Sequence, residues 1–449
     1  MGKIAGISGP DFIQTRQLRI ARLAKEDPTR VLTSLAHFVD IHWLYEAWTR
    51  IRKSGAVGVD GETTDDFKAN LDERLMKLLE NFKSGKYRAP PVRGVDIPKG
   101  NGKTRPIGIP TTEDKVLQMA VKMLLEPIYE QDFQDCSYGC RPGRSQHQAL
   151  QDMWKHLMDT NGGWILEVDI KGFFENINHK TMREILNLRV KDGIVRRSID
   201  KWLRAGICKG GLTWSPETGT PQGGVISPLL ANIYLHEVVD KWIQEVTNSR
   251  ATRMFRFVDD IIIVCTYSED ARRLQRALAE RLAEHHLGIN PEKTRLVNFI
   301  PPTPKRKGSK KVYEECKGFG FLGFQLHWGI SRNGNKVVRR KTHKSRLSKK
   351  IKEIGEWCKK NRHKPTKWQH DQLGLKLKGH YNYYGVTGNF RMLQKYFSCT
   401  KRLWYKWLCR RSQRKNLTWK MFWAKLDVNP LPGPRIVHST YRNSANLQI

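Results

Sequence analysis

Aspartates at the ends of predicted strands give this sequence its clearest chemistry. Asp259 and Asp260 lie between two apolar, β-branched runs, which predicts a buried hairpin with both carboxylates in its tight turn. Asp169 ends a second predicted strand, over 164–170. An exposed Asp-Asp turn is common by itself. Two strand ends that both supply carboxylates, however, can hold a pair of Mg²⁺ ions, because Mg²⁺ takes hard oxygen ligands. Two such ions about 3.5–4 Å apart stabilise the attacking and leaving oxygens of a phosphoryl displacement.

A basic hairpin is predicted earlier in the chain. Extended runs over 92–98 and 105–110 flank an Asn-Gly turn, which is a strong hairpin signal. The hairpin carries Lys99, Lys103 and Arg105. These residues fit a solvated basic turn, and equally a β-ribbon that clamps a triphosphate with arginine as a bidentate donor.

Other motifs lie between these elements. A turn-rich loop over 137–144 contains Arg141 and Arg144. Phe173 and Phe174 follow Asp169; both fit a hydrophobic core, and one near a metal would also fit against the sugar of a bound nucleotide. The glycine loop around Gln222, over 220–224, suits a place where the backbone approaches a bound duplex closely, and a helix is predicted over 229–246.

Composition indicates a folded protein without a membrane span. Of the 449 residues 39% are hydrophobic and 14 are tryptophan, which excludes a disordered chain. No apolar run approaches membrane-spanning length, and the start has no signal-peptide apolar core, so we expect a cytoplasmic protein. The 8 cysteines form no Cys-x-x-Cys pair, which predicts reduced thiols without zinc.

The positive charge is concentrated in the C-terminal third. The formal net charge is +36, and residues 301–449 hold 36 Lys and Arg against 6 Asp and Glu. Such an excess implies a polyanionic partner, and nucleic acid is the obvious one.

Helices are predicted from about residue 341, after an exposed basic loop over 301–317. Aromatic and aliphatic residues line one face of these helices, and the segment 379–385 is predicted to lie between two of them. The opposite faces form a basic surface that includes Lys349, Lys350, Lys401, Arg402, Arg410 and Arg411.

In this order, the motifs resemble the reverse transcriptase-maturases encoded by bacterial group II introns. The resemblance covers about residues 35–440, and its motifs in register are highly specific. They are Tyr87-Arg88-Ala89-Pro90-Pro91, Ile97-Pro98-Lys99, Tyr138-Gly139-Cys140-Arg141-Pro142-Gly143, Val168-Asp169-Ile170 with Phe173-Phe174, Gly219-Thr220-Pro221-Gln222-Gly223-Gly224, Asp259-Asp260, and Phe321-Leu322-Gly323-Phe324.

The resemblance implies an α+β fold of the right-hand polymerase type. Fingers and palm with antiparallel sheet would precede an all-α thumb, or maturase (X), domain. The implied division is an N-terminal extension at 1–34, fingers at 35–160, palm at 161–335, thumb at 336–427 and a C-terminal tail at 428–449.

The resemblance also implies a role for each motif. Asp169, Asp259 and Asp260, with the Ile170 carbonyl, would bind two catalytic Mg²⁺ ions. Lys99 and Arg105 would hold the incoming triphosphate, Phe173 would exclude a ribose 2′-OH, and Gln222 would lie under the nascent base pair. The residues expected to contact primer, template or intron RNA are Arg141, Arg144, Lys293, Lys349, Lys350, Lys401, Arg402, Arg410 and Arg411.

The implied function is RNA-directed DNA polymerisation combined with assistance to intron splicing and mobility. The implied partners are group II intron RNA, an RNA template with a DNA primer, target DNA and dNTPs. A stand-alone reverse transcriptase in repair or phage defence is one alternative, and an RNA-binding splicing factor with an inactive polymerase is another.

The sequence departs from the family pattern at two places. Val258 replaces the alanine usual before the Asp pair, which leaves the carboxylates intact. The Cys pairs and His of an HNH endonuclease are missing, so cleavage of a second DNA strand is not expected.

Overall fold

The computed structural model describes residues 10–100, 103–214, 218–247, 251–302, 304–307, 310–313, 318–331, 333–411 and 417–440. Its backbone, but not its side chains, is described at 10, 11, 99, 100, 103, 304–307 and 310–313.

Helices dominate the described residues. In chain order they are α1 Pro10–Glu26, α2 Ile41–Arg50, α3 Thr64–Ala69, α4 Leu71–Lys83, α5 Thr112–Asp132, α6 Gln146–Asp159, α7 Phe173–Asn176, α8 His179–Asn187, α9 Gly193–Leu203, α10 Ser227–Leu235, α11 Lys241–Val246, α12 Ser268–Glu284, α13 Lys344–Lys360, α14 Thr366–Tyr384, α15 Phe390–Leu408 and α16 Trp419–Val428. A single 3₁₀ turn at Ala36–Phe38 and a π-helical turn at His236–Asp240 complete the helical structure of the described residues.

The strands are short, and several form hairpins. In chain order they are β1 Val92–Gly100, β2 Lys103–Ile109, β3 Gly163–Asp169, β4 Ile207–Lys209, β5 Leu212–Trp214, β6 Thr252–Phe257, β7 Asp260–Cys265, β8 Arg295–Phe299, β9 Pro304–Lys307, β10 Lys310–Tyr313, β11 Phe319–Phe321, β12 Phe324–Ile330 and β13 Lys336–Thr342.

Four sheets result from the pairing of these strands. Their orders are β2-β1-β4-β5, β6-β7-β3-β8, β11-β12-β13 and β10-β9. The β1–β2 pair is antiparallel, with Ile97 opposite Arg105, which confirms the predicted basic hairpin. The strands β6 and β7 confirm the predicted hairpin around Asp259, and Ile261, Ile262, Ile263 and Val264 are all buried, as the β-branched run indicated.

The chain divides into two compact units. One comprises Met1–Ser145, Val168–Ile263 and Glu269–Arg295, and the other Gln146–Glu167, Val264–Ser268 and Leu296–Ile449. In the first unit α1 and α2 pack on α5, which begins after Thr111; the Thr111 hydroxyl accepts a hydrogen bond from the Asp114 N–H at 3.2 Å. In the second unit α13 packs on α15, and the sheet β11-β12-β13 precedes the helices.

The predicted α+β class is confirmed, and three local predictions are wrong. Residues 301–317 were predicted as loop but include the strands β9 and β10, whose sequence lacks the apolar alternation that reveals a strand. Residues 379–384 lie inside α14 rather than between helices, since the helix continues past Gly379 and ends at Gly385. The helix predicted over 229–246 is interrupted by the π-helical turn at His236–Asp240.

Within the described residues, no helix combines the length and apolarity that a membrane crossing would require.

Candidate active site

Asp169 is fixed at the end of β3 by the turn that precedes β8. Its backbone N–H donates to Thr294 Oγ1 at 3.3 Å, and its carbonyl accepts from the Asn290 N–H at 2.8 Å. Its carboxylate pairs with Lys293 Nζ at 2.9 and 3.1 Å. These contacts hold the partly exposed carboxylate beside an exposed ammonium.

Asp259 lies in a turn of unusual backbone geometry, and Asp260 follows directly after it, although both carboxylates were predicted to lie in the turn. β6 ends at Phe257 and β7 begins at Asp260, so Val258 and Asp259 form the turn. Val258 has a φ of 57° and is only 9% exposed. A positive φ is an outlier for a β-branched residue, because its side chain crowds the backbone there, so the surrounding structure must hold the turn in place.

The buried side chain of Arg256 stabilises this turn. Arg256 is 0% exposed, and its guanidinium pairs with the equally buried Asp240 at 2.5 and 2.7 Å. It also donates to the Val258 carbonyl at 3.2 Å, to Asn232 Oδ1 at 2.9 Å and to Ser137 Oγ at 2.8 Å. Opposing effects act on its pKa: burial lowers it, whereas Asp240 raises it, and the net shift is upward. We call Arg256, Asp240, Asn232 and Ser137 the arginine network.

Sequence reasoning assigned no role to the arginine network, although one signal was visible. A charged residue inside a predicted buried strand is costly unless it is paired, which made Arg256 conspicuous. The sequence did not identify the partner. Asp240 lies in the π-helical turn, a rare geometry that occurs often at functional sites.

The 137–144 loop packs against the turn that contains Asp259. The loop and the residue before it pair with the Arg256 backbone: the Arg256 N–H donates to the Cys136 carbonyl at 2.7 Å, and the Tyr138 N–H donates to the Arg256 carbonyl at 2.9 Å. A Cβ on Gly139 would lie 2.6 Å from the Val258 nitrogen, so only glycine permits this approach. The Gly139 carbonyl also accepts from Asn232 Nδ2 at 2.7 Å.

Electrostatics link the predicted site residues to one another. Burial raises the pKa of Asp259, and the Asp169 carboxylate raises that pKa further. The positive charges of Arg105 and Lys293 act in the opposite direction on the same pKa. Asp259 therefore lies within electrostatic range of Arg105 and of the Asp169–Lys293 ion pair, and the exposed Asp260 follows it at the start of β7.

The donor set fits a divalent cation. Asp169 and Asp259 are hard oxygen donors, and the Asp169 carboxylate makes ionisation of Asp259 less favourable, a penalty that a bound cation would relieve. Across the residues that the structure describes, no group of three or more His, Cys, Asp or Glu side chains has a preformed metal-site arrangement.

The residues predicted to bind the nucleotide occupy different environments. Arg105 is exposed on β2, whereas the side chain of Lys99 is outside the described part of the chain. Gln222 is half-buried, and its carbonyl accepts from the Gly108 N–H at 2.7 Å, which ties the glycine loop to β2. Phe173 is 2% exposed, with its ring 5.3 Å from that of Phe174 and 6.3 Å from that of Tyr234.

The two arginines of the 137–144 loop make contacts within the protein. Arg141 is buried; it donates to the Glu130 carboxylate at 2.9–3.2 Å and to the carbonyls of Gln134 and Ser137, both at 2.8 Å. The structure therefore does not bring Arg141 to a surface where nucleic acid could contact it. Arg144 is partly exposed and pairs with Asp135 at 2.5 Å.

The predicted basic surface of the C-terminal helices is partly as expected. Lys349, Arg402 and Arg410 are exposed, Lys350 pairs with Glu353 at 2.8 Å, and Arg411 donates to Thr366 Oγ1 at 2.9 Å. Lys401 differs from the expected exposed position, because its ammonium lies between the rings of Phe397 and Trp423, 4.4 and 4.2 Å from their centroids. Burial there lowers the pKa of Lys401.

Comparison with known families identifies the family of this chain. The family described as "Reverse transcriptase (RNA-dependent DNA polymerase)" matches residues 97–326, just over half of the 449 residues. The chain belongs to the reverse transcriptase family. The matched segment includes Arg105, Asp169, Asp259, Asp260 and Lys293.

Several curated proteins are similar to the chain, and the names of two of those described below identify them as intron proteins. It is 40% identical over 230 residues to the group II intron-encoded protein LtrA of Lactococcus lactis subsp. cremoris, covering 50% of the chain and 37% of LtrA. It is 38% identical over 242 residues to protein YkfC of Escherichia coli, covering 52% of the chain and 63% of YkfC. A 91 kDa protein in the cob intron of Schizosaccharomyces pombe is 33% identical over 198 residues, covering 44% of the chain and 24% of that protein.

These relatives confirm the resemblance to group II intron reverse transcriptase-maturases. The matched segments span between about a quarter and two thirds of the relatives' own lengths.

Proposed function

We propose that this protein is an RNA-directed DNA polymerase that also binds a group II intron RNA and assists its splicing and mobility. The observation that carries the polymerase part is the convergence of Asp169 and Asp259 with Arg105 and Lys293. Two carboxylates flanked by two cations match the needs of phosphoryl transfer to a nucleotide, whose triphosphate is anionic and whose metals are cationic.

The residues have distinct tasks in this proposal. Asp169, Asp259 and Asp260, with the Ile170 carbonyl, hold Mg²⁺, which when bound polarises the transferred phosphoryl group and favours the ionised primer 3′-hydroxyl. Arg105, on an exposed strand, holds the triphosphate of the incoming dNTP, as does Lys99. The arginine network holds the strained turn so that Asp259 keeps its position without the substrate. The predicted fingers, palm and thumb are the domains that would supply these groups.

Primer extension on an RNA template tests the polymerase part. Asp259→Asn removes a ligand charge at nearly constant shape, so extension should fall below detection. Affinity for RNA should change little, because phosphate contacts elsewhere supply most of it. The control is Asp270→Asn on α12, an acid paired with the exposed Arg273 at 3.3 Å, which should extend like the wild type. Undiminished extension by Asp259→Asn would contradict the assignment.

The splicing part rests on the intron-encoded relatives and on the charge after residue 300. Holding a folded RNA needs a broad basic surface rather than metals, so the two tasks should separate. The Asp259→Asn variant should still accelerate splicing of an intron RNA taken from the DNA around the gene, at a low Mg²⁺ concentration where the RNA folds poorly alone.

The reverse separation uses cations on the exposed helix faces. A variant with Lys349→Gln, Arg402→Gln and Arg410→Gln should lose splicing support yet extend a short primer–template. If no such intron RNA exists, or none splices faster with the protein, the stand-alone reverse transcriptase replaces the maturase in this proposal.

A further inference from the structure

A cleft in the second compact unit is lined by none of the predicted catalytic aspartates. It has a volume of about 460 Å³ and is bounded by α13, α14 and α15. That volume is within the range of roughly 300–1,000 Å³ of small-ligand sites. Its lining includes Lys350, Lys376, Gly379, His380 and Tyr396.

His380 gives this cleft a polar group without a protein partner. Its side chain is only 7% exposed, and its ring stacks on Tyr396 with centroids 3.9 Å apart. Its Nε2 is buried and has no hydrogen-bond partner among the described residues. Buried polar groups in proteins are nearly always paired, so an unpaired one in the wall of a cleft indicates a partner from outside the chain.

Gly379 is a second and independent sign of a ligand. It lies inside α14, where glycine is less favourable than alanine. A Cβ added there would meet nothing within 4 Å, so no packing within the described structure requires the glycine. Gly374 in the same helix differs, since its added Cβ would lie 3.6 Å from Pro432 Cδ. A missing side chain at the edge of a cleft leaves room for another molecule to approach the backbone.

The charge and the rings of the cleft define the class of ligand. Lys350 and Lys376 are exposed at its edge, where Lys350 also pairs with Glu353 at 2.8 Å, and the chain after residue 300 has a large positive excess. The inner wall is aromatic, from His380 and Tyr396. A cationic edge beside an aromatic wall suits a nucleotide, whose phosphate is anionic and whose base is flat and carries hydrogen-bonding edges.

We propose that this cleft binds one unstacked nucleotide of a bound RNA, with its base against the His380–Tyr396 wall and its phosphate at Lys350 and Lys376. Because Nε2 is buried in the unbound protein, the His380 ring turns as the base binds and Nε2 then meets the base edge; the space beside Gly379 admits the nucleotide. This inference rests on the proposed function only in taking RNA as the ligand.

The test compares two RNA probes with wild-type protein and with Gly379→Leu. One probe is a hairpin RNA with an unpaired loop, and the other is a blunt RNA duplex of the same length. Leucine favours the helix and fills the cleft edge, so the variant should melt no lower than the wild type. Its affinity for the hairpin should fall about 5- to 150-fold, the loss expected when one base no longer stacks. Its affinity for the duplex should stay the same, since a duplex offers no unstacked base.

Two matched variants complete the design. Gly374→Ala changes a glycine of the same helix away from the cleft and should bind both probes like the wild type. His380→Phe keeps the ring but removes its nitrogens, and it should weaken hairpin binding while leaving duplex binding intact. Unchanged hairpin affinity in Gly379→Leu, or an equal loss on both probes, would overturn the cleft proposal. Primer extension by the same preparations reports separately on the polymerase function, which is proposed on other residues.

Discussion

Arg256→Lys is the most informative single change in the catalytic region. Lysine keeps the positive charge and can still pair with Asp240, but it lacks the planar fork that donates in several directions. The variant should therefore lose the hydrogen bonds to the Val258 carbonyl, Asn232 and Ser137 that the guanidinium makes at 2.8–3.2 Å. The carboxylates themselves are untouched.

The size of the effect follows from those hydrogen bonds. A typical hydrogen bond contributes about 1 kcal/mol net, so the free energy of unfolding should fall by about 2–4 kcal/mol. That is a large share of the roughly 5–15 kcal/mol typical of folded proteins, but it leaves the protein folded at moderate temperature. Once released, the strained Val258 turn can move Asp259. A displacement of about 1 Å can cost on the order of 100-fold in rate, and we expect that loss in kcat for primer extension.

Arg189→Lys is the matched control. Arg189 is 5% exposed, pairs with Asp132 at 2.9 Å and also donates to backbone carbonyls, among them that of Pro28 at 2.7 Å. The same substitution there should lower the free energy of unfolding by a similar amount and leave kcat unchanged.

The assays are chemical denaturation and single-nucleotide extension at a temperature where both variants are folded. Equal losses of kcat in the two variants would mean that stability alone is responsible. A destabilised Arg256→Lys variant with wild-type kcat would refute the positioning role of the arginine network.

Three further predictions follow from other parts of the structure. Phe173→Ala removes a ring that is 2% exposed, so it should lower the free energy of unfolding by about 3–5 kcal/mol. If Phe173 also excludes a ribose 2′-OH, the ratio of ribonucleotide to deoxyribonucleotide incorporation should rise in this variant. An unchanged ratio would assign Phe173 to the core alone. Burial raises the pKa of Asp114 from 3.8 to about 6, so the folded state binds this proton more tightly than the unfolded state. This proton's contribution to the free energy of unfolding is fully present below about pH 4 and is lost as pH rises through 6, a change of about 3 kcal/mol. Denaturation curves taken across this range should show the change in the wild type and not in Asp114→Asn. A plot of the logarithm of the RNA-binding constant against the logarithm of the salt concentration should be shallower for the variant with Lys349→Gln, Arg402→Gln and Arg410→Gln. Its slope should fall by about 0.7–0.9 for each phosphate that the protein no longer neutralises. An identical slope would show that these residues are not part of the RNA surface.

The sequence determined the local elements that carry the carboxylates predicted to be catalytic. An apolar, β-branched run with two central acids predicts a hairpin with the acids at its turn. The structure has β6 and β7 in that place, with Asp259 in the turn but Asp260 as the first residue of β7. The Asn-Gly turn similarly specified the pairing of β1 with β2. Both inferences depend on neighbouring residues, whose spacing decides which backbone groups can pair.

Only the tertiary structure decided which residues meet across long stretches of chain. Lys293 and Asp169 are 124 positions apart, and no periodicity reveals their ion pair. Arg141 and Lys401 looked like exposed cations in the sequence, yet one is buried against Glu130 and the other lies between two rings. A charge pattern shows that cations are present, but their exposure depends on the elements that pack beside them.

Two glycines also show the difference between what the sequence predicts and what the tertiary structure decides. Gly379 reads from the sequence as a helix breaker, because glycine weakens a helix, but the packing of α14 overrides that weak local preference. Gly139 reads as part of a loop, and only the fold shows that the catalytic turn lies against it, with no room for a side chain. Neighbouring residues therefore determined the helices and strands. Which distant residues contact one another depended on the tertiary structure, because burial and hydrogen bonding bring together residues that are far apart in the sequence.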